Sequence, residues 1–179
     1  MRLAPRDLAY TALGAVLLAV CAWITVPAPV PFTMQTFALF CVLELLGGRR
    51  GTLAVLVYLL LGAVGLPVFS GFRGGLGALL GPTGGYLLGF VLTGLVYWLF
   101  GRFSRKSAAR VLSLALGLVL CYAFGTAWFT AVYARSGGAV SLAAALGWCV
   151  LPFLLPDAAK LALALFLSRR LRPLLRLGA

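Results

Sequence analysis

The stretch Leu8–Val26, LAYTALGAVLLAVCAWITV, runs for 19 residues without a charge. As a helix it would be about 28 Å long, close to the roughly 30 Å of hydrocarbon in a bilayer. Arg2, Arg6 and Asp7 precede it, and Pro27-Ala28-Pro29 ends it. A secretory signal also opens with basic residues and an apolar run. This run is long enough to span, meets no small-x-small cleavage pattern and is followed by more of its kind, so it reads as a first membrane span.

Further apolar runs follow at Thr33–Leu46, Thr52–Val68, Thr83–Phe100, Val111–Ala134 and from about Phe153 to Ser168. The second is short, and Gly62 and Gly65 interrupt the third. Pro152 and Pro156 set Leu142–Leu151 apart as a short helix or re-entrant piece. The chain is 63% hydrophobic and 10% charged, against about 25% charged in a soluble domain. One soluble core of this size cannot hide so much apolar surface. The expected fold is all-α: a single membrane domain over residues 1–179 with six transmembrane helices.

The cations orient it. Arg2, Arg6, Arg49, Arg50, Arg102, Arg105, Lys106, Arg110, Arg169, Arg170, Arg172 and Arg176 all fall on one side of such a bundle. Arg73 and Arg135 fall on the other, and Lys160 lies within a span. The positive-inside rule places the first group, and with it both termini, in the cytoplasm. The cations form short clusters between apolar runs, with no basic groove, so the net charge of +12 reports topology and not nucleic-acid binding.

Much chemistry is excluded. The chain has no histidine, and its acidic residues are Asp7, Glu44 and Asp157. A histidine-based triad and an HExxH metal site are absent. Cys21, Cys41, Cys121 and Cys149 form no CxxC pair and read as buried small hydrophobes, with neither disulfide nor metal implied. No cofactor is expected.

Polar residues collect at the side opposite the cations. Its longest connection and the start of the next span, Ser70–Gly85, read SGFRGGLGALLGPTGG. Gly71, Gly74, Gly75, Gly77 and Gly81 permit close backbone approach to a ligand. Phe72, Leu76, Leu79 and Leu80 predict a loop that packs down as a lid, against the simpler reading of a flexible outer loop. Thr33, Gln35 and Thr36 cluster at the start of the second span, where Thr33 also suits an N-cap. Tyr86 opens the fourth, and Tyr122 and Thr126 share a face of the fifth.

Asp157 and Lys160 are the costly pair. Each charge costs about 2.5–3.5 kcal/mol at a helix centre in a membrane. They stand three residues apart on one face, so they can neutralise each other, line a polar ligand site, or do both. Pro156 places Asp157 near a helix N-terminus, where the dipole favours an anion. A membrane enzyme built on this pair would need a second carboxylate nearby, and none is present. On the first span, Ala12, Ala15, Ala19 and Ala22 form a small-residue stripe that suits close helix packing, within the bundle or against a partner.

The segments PVPFTMQTF (Pro29–Phe37), LLLGAVGLPVFSG (Leu59–Gly71), GGLGALLGPTGGYLLGF (Gly74–Phe90) and PFLLPDAAK (Pro152–Lys160) resemble the BioY family. These are the biotin-specific substrate-binding (S) components of energy-coupling factor (ECF) transporters. The resemblance covers nearly the whole chain, and GPTGGY is its most specific piece. It implies a six-helix plasma-membrane subunit that takes biotin as transported substrate at its outer face. A membrane coupling protein (T component) and two cytoplasmic ATPase subunits would be its partners, and the absence of GxxxxGK[ST] excludes this chain as the ATPase. The resemblance implies Thr33, Gln35, Thr83, Gly84, Tyr86, Asp157 and Lys160 as biotin-contacting residues, and the reading of the glycine loop and the fifth span adds Gly75 and Tyr122. Ala15 and Ala19 would dock the coupling protein. Lys160 would meet either the ureido oxygen or the valerate carboxylate.

Overall fold

Gly47 has φ 79° and ψ 168°, a backbone state essentially reserved for glycine. It interrupts an otherwise helical run, Gln35–Ala63 (α2), and folds it back on itself. Gln35 Nε2 donates a hydrogen bond to Tyr58 Oη at 2.6 Å, across 23 residues of chain. On one straight helix those residues would stand about 35 Å apart. The arms 35–46 and 48–63 are therefore antiparallel neighbours, overlapping the second and third apolar runs. Gly51 lets them touch, since a Cβ there would lie 2.9 Å from Leu43 Cδ2.

The computed structural model describes residues 4–28, 30–104, 106–135 and 140–174. Arg2, Arg105 and Arg176, counted above on the cationic side, lie outside the described residues, as do Pro29 and most of the connection after Arg135. The elements are α1 (Pro5–Trp23), β1 (Thr25–Val26), β2 (Phe32–Thr33), α2, a 3₁₀ turn (Ser70–Phe72), α3 (Leu76–Leu80), α4 (Gly84–Phe103), α5 (Ser107–Arg135), α6 (Leu142–Cys149) and α7 (Leu151–Leu171). Among the described residues, α1, α4, α5 and the stretch Leu142–Leu171 are long and apolar enough to cross a membrane. The chain is an all-α membrane bundle.

Several boundaries move. The first span stops at Trp23, and Thr25–Val26 instead pairs antiparallel with Phe32–Thr33, a two-residue ribbon in the otherwise helical chain. Thr33 thus lies in a strand, and the helix begins at Gln35. The third run ends at Ala63, just before Gly65 at φ 104°. Pro156 lies inside α7 and Pro152 takes the first-turn position. Asp157 is consequently a full turn beyond the helix start, and the expected N-terminal dipole does not hold it. Pro156 removes one intrahelical bond, which a helix packed among neighbours tolerates. The separate short helix before α7 is present as α6, broken from it at Val150.

α4 lies along α5 because small residues line both sides of the seam. A Cβ on Gly117 would fall 2.7 Å from Thr93 Cγ2, and one on Gly89 would fall 2.7 Å from Cys121 Sγ. In lipid, where no hydrophobic drive separates helix from solvent, such close backbone approach supplies the association. α1 packs on both arms of α2, with Gly14 against Ala54, Leu46 and Val42. Ala15 and Ala19 are 2% and 7% exposed in this seam. Ala15 and Ala19 are thus covered by the chain's own helices, which goes against the expectation that they present a docking face, while Ala12 of the same stripe is exposed. Leu13, Val16 and Val20 occupy the uncovered side of α1.

Arg50, Arg110 and Arg172 gather at one end, while Arg73 and Lys160 line the cavity at the other. Arg50 pairs with Asp7 at 2.8 Å, and Arg110 and Arg172 both face Glu44. The glycine-rich loop, the ribbon and the start of α4 form the opposite end.

Candidate ligand-binding site

The ribbon and α2's first turn bring Thr33, Gln35 and Thr36 to the mouth of a cavity. Thr83 and Tyr86 enter from the start of α4, Tyr122 from α5, and Asp157 and Lys160 from α7. Phe69, Leu87, Phe90, Leu118 and Phe153 form its apolar wall. An apolar pocket with a few converging polar groups is the usual form of a small-molecule site.

Asp157 and Lys160 are 1% and 6% exposed. Lys160 Nζ donates to Asp157 Oδ1 at 2.8 Å, to the Thr33 carbonyl at 2.7 Å and to Thr36 Oγ1 at 3.2 Å. Its three donors are therefore all engaged. The same ammonium sits 4.1 Å from the centroid of the Phe32 ring. Asp157 Oδ1 also accepts from Thr36 Oγ1 at 2.8 Å, and Oδ2 accepts from Tyr122 Oη at 2.6 Å. This web explains how two charges survive burial, because a buried ion pair is tolerable only when its remaining valences are met. It also resolves a backbone problem. Thr33 lies in irregular chain within the bundle, and non-helical backbone at membrane depth must find partners or line a wet cavity. Lys160 caps its carbonyl.

Gln35 is held at both ends. Thr33 Oγ1 donates to Oε1 at 2.9 Å, and Nε2 donates to Tyr58 Oη. Tyr86 and Thr126 hydroxyls lie 2.9 Å apart. The site's polar groups thus form a closed network. A ligand acceptor that reaches Lys160 must replace one of its three present partners.

The structure brings together Thr33, Gln35, Thr83, Tyr86, Tyr122, Asp157 and Lys160 around this cavity. It does not bring Gly75 or Gly84 there. Gly75 N–H donates to the Gly62 carbonyl at 2.7 Å, and Gly84 N–H donates to Gly81 at 3.0 Å, so neither amide is free for a ligand. Gly84 is needed because a Cβ there would strike the Leu79 carbonyl. The lid expectation also changes. Phe72, Leu76 and Leu80 point outward, Phe72 stacking on Trp23 at 5.2 Å, and Leu79 alone of the four packs toward the core. Cavity contacts from this loop come from Ser70, Arg73 and Ala78 instead.

Sequence reasoning left out Tyr58, which anchors Gln35, the aromatic lining of Phe69, Phe90 and Phe153, and Phe32, whose ring lies against Lys160 and Phe153. Tyr58 had a readable signal as a hydroxyl-bearing ring within an apolar run. Arg73 had another, as the single cation of the glycine loop. The phenylalanines had none, since this composition places aromatics throughout. All four cysteines are buried, and Cys121 and Cys149 contribute apolar lining.

The BioY family model matches residues 1–177. The chain is 39% identical over 170 residues to "Biotin transporter BioY" of Thermotoga maritima, covering 94% of this chain and 97% of that one. It is 39% identical over 168 residues to "Probable biotin transporter BioY" of Pyrococcus horikoshii, covering 93% and 96%. A crystal structure described as the S-component for biotin from an ECF-type ABC transporter superposes with a TM-score of 0.80 at 27% identity, covering 93% of this chain and 90% of that one.

Proposed function

This chain belongs to the BioY family, and from that premise we propose that it is the biotin-binding S component of an ECF-type transporter. It is a multi-pass plasma-membrane transporter subunit and not an enzyme. The observation that carries the reading to particular residues is the buried Asp157–Lys160 pair, cross-braced by Thr33, Thr36 and Tyr122 inside one apolar-walled cavity.

Biotin's chemistry is complementary to this cavity. Its ureido ring offers two N–H donors and one strongly accepting carbonyl, and its bicycle is apolar. Asp157, an acceptor with a lone-pair site still open, suits a ureido N–H. Lys160 suits the ureido oxygen or the valerate carboxylate, and Gln35 can both donate and accept. Phe69, Phe90 and Phe153 suit the bicycle. Analogues lacking a ureido N–H would leave a buried partner unpaired, which is the basis of strong discrimination.

The topology we propose has six spans, counting the two arms of α2, with the cation-rich end and both termini in the cytoplasm and the cavity mouth outside. The mechanism is capture from outside, followed by movement of the loaded subunit that is driven by ATP hydrolysis in partner proteins. Those partners are a membrane T component and two ATPase subunits. The burial of Ala15 and Ala19 among the chain's own helices argues for a T-component surface elsewhere.

Calorimetric titration of the purified full chain with biotin tests the reading. Saturable one-to-one binding is expected, with affinity lowered at least tenfold by Asp157→Asn and by Lys160→Ala, as loss of one buried hydrogen-bonded charge implies. Absence of binding by the wild type would overturn the function. Unchanged binding by both variants would overturn the site.

A further inference from the structure

The opposite end of the bundle holds a second, unassigned cluster. Glu44, 3% exposed, accepts from Tyr97 Oη through Oε1 at 3.0 Å. Its Oε2 faces Arg110 Nη1 at 3.2 Å and Arg172 Nη2 at 3.7 Å, and Arg172 also donates to the Glu44 backbone carbonyl at 2.6 Å. Arg169 shares a cleft with Glu44, Arg110 and Arg172. Arg102 lines an adjoining cleft that has Arg110 and Arg172 in common with the first and Trp98 at its wall.

Four guanidiniums therefore line two recesses that share Arg110 and Arg172, and the one carboxylate among their lining residues is already shared between those two. The positive charge left over is concave, not spread on a convex solvated face. The Nε of Arg110 is buried without a hydrogen-bond acceptor. An unmade hydrogen bond at a buried charged group is costly, and an oxygen-rich anion entering beside it supplies the missing acceptor once the guanidinium re-seats. A guanidinium fork matches the tetrahedral oxygens of phosphate in particular. Trp98, 39% exposed, puts an amphipathic ring of the kind that sits at headgroup level beside the same recess.

We propose that this recess, formed by Arg102, Arg110, Arg169 and Arg172, is a binding site for a phosphate-bearing anion. The sources of that chemistry are an anionic phospholipid headgroup and free phosphate. The site is independent of the biotin cavity.

The test uses the full chain in nanodiscs of phosphatidylcholine, with and without phosphatidylglycerol, read by native mass spectrometry and by thermal melting. Arg110 and Arg172 are left intact because they hold Glu44. Arg169→Gln and Arg102→Gln are compared with Arg170→Gln, whose guanidinium lies over the Phe166 ring at 5.6 Å and lines neither recess. A discrete phosphatidylglycerol adduct is expected, its retention falling about five-fold with either recess variant and not with Arg170→Gln. A melting-temperature rise with inorganic phosphate in pure phosphatidylcholine discs, abolished by Arg169→Gln, would support the site and assign it to free phosphate. Equal losses from Arg169→Gln and Arg170→Gln would mean diffuse attraction and overturn the proposal, as would the absence of both adduct and phosphate response.

Discussion

Asp157 and Lys160 make the sharpest energetic statement in the molecule. Each is buried, and each is tolerable because of the other, the Thr36 and Tyr122 hydroxyls and the Thr33 carbonyl. Removing one member leaves a buried charge uncompensated, at a cost of about 3–5 kcal/mol, whereas replacing both can be nearly neutral. Asp157→Ala should therefore lower the melting temperature of the empty protein substantially, and the paired change Asp157→Asn with Lys160→Gln should restore most of it. Biotin affinity should stay low in both. Differential scanning fluorimetry followed by biotin titration of the same samples separates the two effects. A double variant that melts as low as Asp157→Ala would show that the pair is held by something other than mutual compensation.

At the scale of elements, the tight turn at Gly47 lets two short arms replace one long helix. At about 1.5 Å per residue the arms reach only about 18 and 24 Å, less than a full bilayer, so irregular chain must complete the path on the glycine-rich side. That irregular chain is the ribbon and the loop, and the ligand cavity opens among them. Two adjacent glycines here do different work. Gly47 needs its backbone state and has open space around it, while Gly48 has ordinary backbone but a Cβ there would strike the Trp98 backbone. Gly47→Ala should cost about 1–3 kcal/mol of backbone strain. Gly48→Ala should cost more, because it must push α4 away. Melting temperatures of the two variants give the order, and the reverse order would contradict the packing of the turn against α4.

Across the whole molecule the two ends have opposite characters. One gathers guanidiniums around Glu44 and pairs Arg50 with Asp7, and the other gathers glycines, hydroxyls and the cavity mouth. That asymmetry is the basis of the proposed orientation. Because the four native cysteines are buried, single cysteines introduced at Pro82 and at Ser104 report on sidedness with little background. In intact cells a membrane-impermeant maleimide should label Pro82→Cys and spare Ser104→Cys until the membrane is opened. The opposite pattern would invert the topology and place the cavity mouth inside.

The amino-acid sequence by itself determined the solvent, the helical class and the sorting of charge, because hydrophobic run length and cation placement answer to the bilayer alone. It also marked most of the polar residues that meet in the cavity, since a charge or amide in an apolar run is costly wherever it lies. Only the tertiary structure decided which of these face one another. It engaged the amides of Gly75 and Gly84 within the chain, turned three of the loop's four apolar side chains outward, and buried Ala15 and Ala19 against α2. It also moved Asp157 away from a helix start into a web with Lys160, Thr36 and Tyr122. The reason is physical: glycine and alanine look the same in sequence whether a ligand, a partner or a neighbouring helix fills the space beside them, and only packing says which.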